Sequence, residues 1–192
     1  MRSLVVVESM FGNTRAVAEA IAESLATAGP ATVLDVNEAP ESPDGTVDLL
    51  IVGGPTHAFG LSRPNSRRAA RDQGAKAAER MGLREWLAGL PASPASVPTV
   101  AFSTRLKKGF LPGSAATDAA RRLRRLGYQQ AAVPEDFWVA DTAGPLRDGE
   151  LDRARAWGRG LAQMLGRSPA ASMPNKATSL PDKKEEGSRD GR

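Results

Sequence analysis

"LVVVESMFGNTRAVAEAIAESL" (residues 4–25) sets an apolar run, a turn of small residues and an Ala-rich segment end to end. Leu4 to Val7 is continuously apolar, the pattern of a strand buried on both faces. Val17, Ala18, Ile21 and Leu25 then recur at helical spacing, and Gly29-Pro30 closes the segment. Between the two, "ESMFGNT" offers Ser9 and Thr14 hydroxyls, Asn13 and the flexible Gly12, just where a helix begins with unpaired N–H groups. Those N–H groups and the helix dipole favour an anion. The turn therefore reads as a phosphate-binding loop.

The same alternation continues along the chain. Apolar runs recur at "ATVLDV" (31–36), "DLLIVGG" (48–54) and "PTVAFS" (98–103), and a last stretch runs through "YQQAAV" and "DFWVAD" (128–141). Helical spacing places Leu83, Trp86, Leu87 and Leu90 on one face of 82–90. It does the same for Ala116, Ala119, Ala120, Leu123 and Leu126 in 114–126. In 150–166 the shared face is Leu151, Ala154, Gly158, Leu161 and Leu165. Strands alternating with helices require parallel pairing and right-handed crossovers, with helices on both faces. The fold class is α/β, a doubly wound five-stranded parallel sheet. Residues 37–47 hold two prolines and a glycine, so that crossover should lack a helix. Residues 57–81 form a long Arg-containing excursion, which suggests a lid or a partner-docking loop. Residues 1–167 make one domain, and 168–192, without periodicity, are expected as a disordered polar tail.

Composition narrows the function. With 41% hydrophobic and 25% charged residues in 192, the chain suits one soluble globular domain. It has no apolar run of bilayer-spanning length, and the first strand begins so early that no leader is expected before it. The absence of cysteine excludes disulfides, thiolate metal sites and cysteine nucleophiles. A cytoplasmic location is expected, with no catalytic side chain and no metal site assigned. The net charge is +4, of which about +3 remains on residues 1–167. That bias is too mild for a nucleic-acid binder, and the arginines of "RRLRR" (121–125) read as a solvated helix face. Trp86 and Trp157 are expected in the core, and Trp138 packed at the sheet end.

Several users of phosphate can be set aside. The first strand is not followed by G-x-G-x-x-G or by G-K-[ST], which removes dinucleotide-pyrophosphate and nucleoside-triphosphate loops. A phospho-accepting receiver would carry an Asp where this chain has "GGPTHAFG" (53–60). A ligand with one phosphate and a bulky remainder is left.

"ESMFGNT" resembles the phosphate loop of flavodoxins, and "LLIVGGPTHAFG" (49–60) resembles the strand and loop preceding the flavin ring in the same superfamily. Strand and helix order match over roughly 3–166, and the last strand, interrupted at Pro134 without a long insertion, is similar to that of short-chain flavodoxins. The resemblance implies strand order 2-1-3-4-5 and FMN as cofactor. Carried over by position, Ser9, Asn13 and Thr14 would bind the phosphate, with N–H groups across Met10, Phe11, Gly12 and on to Arg15. Pro55, Thr56, His57, Ala58, Phe59 and Gly60 would form one wall around the ring. Ser103, Thr104 and Arg105, with Gly109 and Phe110, would form the other. Phe11 stands where flavodoxins usually have a hydroxyl. Their usual Trp and Tyr clamp is missing from these loops, which leaves Phe59 as the stacking side chain.

Two functions follow from the resemblance. One is an electron carrier between redox partner proteins. The alternative is an FMN-dependent NAD(P)H oxidoreductase reducing a quinone or another small acceptor. Flavodoxins are usually acidic, whereas His57, Arg63, Arg67, Arg68, Arg105, Lys107 and Lys108 give this chain a basic rim. A basic rim tolerates the charge of a reduced flavin and implies a less negative potential. It would also draw anionic partners or NAD(P)H.

Overall fold

The computed structural model describes residues 1–75, 81–92, 97–107 and 112–166. Lys108, Gly109, Phe110 and the expected tail lie outside the described residues. In chain order the elements are β1 (Ser3–Val7), α1 (Asn13–Leu25), a 3-10 turn (Ala26–Ala28), β2 (Ala31–Asp35), β3 (Leu49–Pro55), α2 (Pro64–Asp72), α3 (Leu83–Gly89), β4 (Pro98–Leu106), α4 (Ala115–Arg125), β5 (Gln129–Gln130), β6 (Glu135–Val139) and α5 (Glu150–Gly166).

All pairings between these strands are parallel, in the order β2-β1-β3-β4-β5. The fifth position is shared. The long β4 pairs first with β5 (Pro98 with Gln129) and, further along, with β6 (Phe102 with Glu135 through Leu106 with Val139). The last strand, expected over 128–141 with an interruption at Pro134, is two short strands separated by 131–134. Pro134 has no N–H to give to a ladder, and the break falls there.

Period-2 alternation sorts the central strands into two cores. Leu4, Val6, Leu50, Val52 and Ala101 face α3 and α4, against Leu83, Trp86, Leu87, Ala119 and Leu123. Val5, Val7, Ile51, Val100 and Phe102 face α1 and α5, against Val17, Ile21, Leu25, Ala154 and Leu161. Each fully buried aliphatic side chain contributes about 1.5–3 kcal/mol of transfer free energy, so strands buried on both faces anchor the fold. Phe102, Phe137 and Trp157 close the second core as an edge-to-face trio, with ring centroids 6.1–6.5 Å apart. Trp86 is buried and donates its indole N–H to Pro40 O at 2.9 Å. Leu151, expected on the inner face of α5, is exposed instead, while its neighbour Glu150 is buried.

The β2–β3 crossover contains no helix, as its prolines require. The excursion after β3 contains one that periodicity did not reveal. In α2 only Arg67 and Ala70 are buried, too few for an apolar stripe. This segment is fastened down. Ser62 Oγ donates to the buried Glu8 carboxylate at 2.5 Å, and Glu8 also accepts the Leu83 N–H at 2.8 Å. Arg67 donates to Ser62 Oγ at 3.0 Å and pairs with Glu85 at 3.0 Å. Such fastening is at odds with a freely closing lid. Burial holds the Glu8 carboxyl above its ordinary value, against the pull of its hydrogen bonds and of Arg67.

Candidate functional site

In a sheet wound this way, the loops after β1, β3, β4 and β6 meet beyond the carboxyl ends of the strands. There they line a groove of about 350 Å³. Its first wall is the β1–α1 loop, with Met10, Phe11, Asn13 and Thr14. Gly12 caps α1 in the left-handed region (φ +87°), a conformation that costs a glycine little and that turns the loop into the helix. The first intrahelical bond runs from Ala16 N–H to Gly12 O, so the N–H groups of Asn13 and Thr14 precede the ladder. Ser9 Oγ accepts the Arg15 N–H at 3.1 Å and keeps its own hydrogen available to an anion.

Side-chain bonds lock these loops together. Thr14 and Thr104 share a hydroxyl–hydroxyl bond of 2.8 Å that ties the first loop to the end of β4. Asn13 Nδ2 donates to Ala143 O at 3.0 Å, tying it to the loop before α5. Thr56 and Ser103 hydroxyls lie 3.0 Å apart, and Ser103 donates to Asp136 at 2.6 Å.

The second wall is a tight hairpin. His57 N–H donates to Gly60 O at 2.9 Å and Gly60 N–H to His57 O at 3.1 Å, with Ala58 (φ +44°) and Phe59 (φ +74°) at the corner. Both corner residues hold a left-handed conformation that costs an L-residue with a side chain about 1–2 kcal/mol each. The hairpin presents Phe59, 55% exposed, at the rim of the groove. His57 is held below the ordinary histidine value by burial first and the Arg67 charge second, so its imidazole is neutral near pH 7.

Of the residues singled out from the sequence, Met10, Phe11, Asn13, Thr14, Pro55, Thr56, His57, Ala58, Phe59, Thr104 and Arg105 line one groove. Ser9 and Gly12 belong to its first loop without being part of the lining. Ser103 is fully buried beneath it, occupied by Thr56 and Asp136. Gly60 turns away, to a second groove on the far side of the hairpin. Leu106, Val139 and Thr142 complete the lining and escaped sequence reasoning. Leu106 and Val139 are register partners across β4 and β6, beyond the break at Pro134. Trp138, beside them, carries Arg105 and Lys107 over its ring at 5.9 Å each.

The flavodoxin family model matches residues 5–90. A flavodoxin from the domain Archaea superposes with a TM-score of 0.61 at 19% identity, over 87% of this chain and 100% of its own. The fold is that of a flavodoxin. Flavodoxin 1 from Bacillus cereus is similar at 15% identity with a TM-score of 0.56, over 85% and 98% of the two chains. A flavodiiron core from Synechocystis is similar at 19% identity with a TM-score of 0.57; this chain, over 87% of its length, spans 36% of that longer protein. No curated protein matches the sequence. FMN is the cofactor of the flavodoxin family, and the donor set here suits it: hydroxyls and helix-start N–H groups at one end of the groove, with Pro55, Phe59 and Phe11 as apolar walls.

Proposed function

We propose that this protein binds FMN non-covalently in the groove at the carboxyl ends of β1, β3 and β4 and passes electrons to redox partner proteins. One observation carries the reading: a helix N-terminus free of carboxylates opens onto the same groove as the aromatic hairpin after β3. Ser9, Thr14 and the N–H groups from Met10 to Thr14 would hold the phosphate, while the Arg15 N–H holds Ser9 Oγ in place. Phe59 and Phe11, from different loops, would cover the ring. When bound, FMN supplies the one- and two-electron chemistry. The side chains supply position, the exclusion of water and the local potential. Neutral His57 would offer its ring as a contact, not as a charge. We place this activity in the cytoplasm.

A second reading, an FMN-dependent NAD(P)H oxidoreductase, is favoured by a basic groove that shares the His57–Phe59 hairpin. The visible spectrum of the purified protein, with and without added FMN, tests the cofactor. A flavin spectrum that survives desalting is the expected result, and a colourless protein that releases FMN would overturn it. Mixing the FMN-loaded protein with NAD(P)H alone then separates the two functions. A carrier stays oxidised until a separate reductase is added, whereas an oxidoreductase bleaches at once.

A further inference from the structure

The second groove, about 570 Å³, lies on the far side of the 57–60 hairpin, between α2 and α4. Five arginines line it (Arg63, Arg84, Arg121, Arg122 and Arg125) against a single carboxylate, Asp118. Helical spacing produces the cluster: positions 118, 121, 122 and 125 share one face of α4. Asp118 works as a holder. It accepts from Arg122 Nε at 3.1 Å and from Arg84 Nη2 at 3.3 Å, while Arg84 also donates to Leu61 O at 2.7 Å and Ser62 O at 2.9 Å. Two guanidinium groups are thereby fixed in place. Arg63, Arg121 and Arg125 have no carboxylate partner among the described residues.

The other exposed helix faces are arranged differently. Arg15 faces Glu19 at 3.0 Å on α1, and Arg155 on α5 lies between Glu23 and Asp152 at 3.0 and 3.1 Å. Like charges one helical turn apart repel, so concentrating arginines in a concave wall works against the fold unless an anion offsets them. Guanidinium forks match phosphate oxygens bidentately, and fixed forks lose little freedom on binding. The groove also has the size of a small-molecule site, not of a flat docking face. We propose that this groove binds the diphosphate group of a small molecule. The site lies across the shared 57–59 hairpin from the FMN groove, and its arginines line only the second groove, so it does not rest on the flavin reading. Free diphosphate, a nucleoside diphosphate and a nicotinamide dinucleotide share that chemistry.

Isothermal titration of the full, FMN-free chain tests this, with inorganic pyrophosphate, ADP and NADPH in turn at constant ionic strength. Saturable binding of at least one is expected. It should weaken at least tenfold in the double variant Arg121→Gln/Arg125→Gln and stay within twofold in Arg124→Gln, whose side chain lies outside the groove. Arg121, Arg124 and Arg125 are exposed, so both variants should keep the thermal midpoint of the parent. Equal affinity for pyrophosphate and ADP would assign free diphosphate as the source. Tighter ADP would assign a nucleotide, and still tighter NADPH a dinucleotide. No saturable binding of any of the three, or equal weakening by Arg124→Gln, would overturn the proposal. So would binding of polyglutamate alone, because an acidic polypeptide would then be the occupant.

Discussion

Ala58 and Phe59 carry the least comfortable backbone among the described residues with side chains, both at positive φ in the hairpin that walls the groove. Relieving the corner at Ala58→Gly removes about 1–2 kcal/mol of steric cost and adds about 0.5–1 kcal/mol of unfolded-state entropy. A net gain of about 0.5–1 kcal/mol is expected. Chemical denaturation reads it as a higher midpoint, and a lower one would mean that the corner is not strained. His57, on the same hairpin, gives a pH signature. Its folded pKa lies below the ordinary 6.5, so on acidification the unfolded chain takes up the proton first. Stability from this residue is complete above the ordinary histidine value and is lost as pH falls from there toward the folded pKa. His57→Gln should therefore lose less melting temperature than the parent between about pH 7.5 and 5.5. Parallel curves for the two proteins would remove the inference.

Among elements, the contact of α1 with α5 shows how one helix can hold glycines of opposite consequence. A Cβ added at Gly158 would stand 2.8 Å from Ile21 O and 3.0 Å from Ser24 Cβ, whereas at Gly160 it would meet nothing within 4 Å. Alanine at either position gains helix propensity of about 1 kcal/mol over glycine. At Gly158 that gain is outweighed, because a backbone carbonyl of α1 cannot step aside without opening the second core. Gly160→Ala should stabilise by about 0.5–1 kcal/mol. Gly158→Ala should destabilise, by about 1–3 kcal/mol. Equilibrium unfolding of both variants checks the pair, and a stable Gly158→Ala protein would show that α5 can shift. At this scale α2 is instructive too. Its fixing partners are Glu8, Ser62 and Glu85, spread over seventy-odd residues of chain, and no local pattern announces them.

For the whole molecule, the charge reading divides between two grooves. Of the basic rim read from the sequence, Arg67 is taken up by Glu85 and Ser62, Arg63 faces the second groove, and Arg105 pairs with Asp136 at 3.2 Å. The first groove keeps Arg105 and neutral His57 and has no carboxylate in its lining. A reduced, negatively charged flavin there should sit at a less negative potential than in an acidic flavodoxin. Arg105→Gln should lower it, by on the order of 1 kcal/mol once the Asp136 offset is counted. Potentiometric titration of the FMN-loaded parent and variant would read this; an unchanged potential would mean that the Arg105 charge is fully offset by its partners.

The sequence by itself determined the α/β class, the strand order carried by the flavodoxin resemblance, the helix-free β2–β3 crossover and the two loops that meet at the groove. These follow from local causes: β-branched runs, helical spacing at Val17 through Leu25, prolines in 37–47, small residues at 9–14. Other features depended on partners distant along the chain. Tertiary structure alone decided that Ser103 is spent beneath the groove, that Val139 joins Leu106 in its lining, and that Gly60 turns to the far side of the hairpin. It also decided that the arginines of α4, which periodicity could only place on the outside, close with Arg63 and Arg84 around one aspartate. A side chain's face can be read from its neighbours in sequence; what stands opposite that face depends on how the crossovers pack.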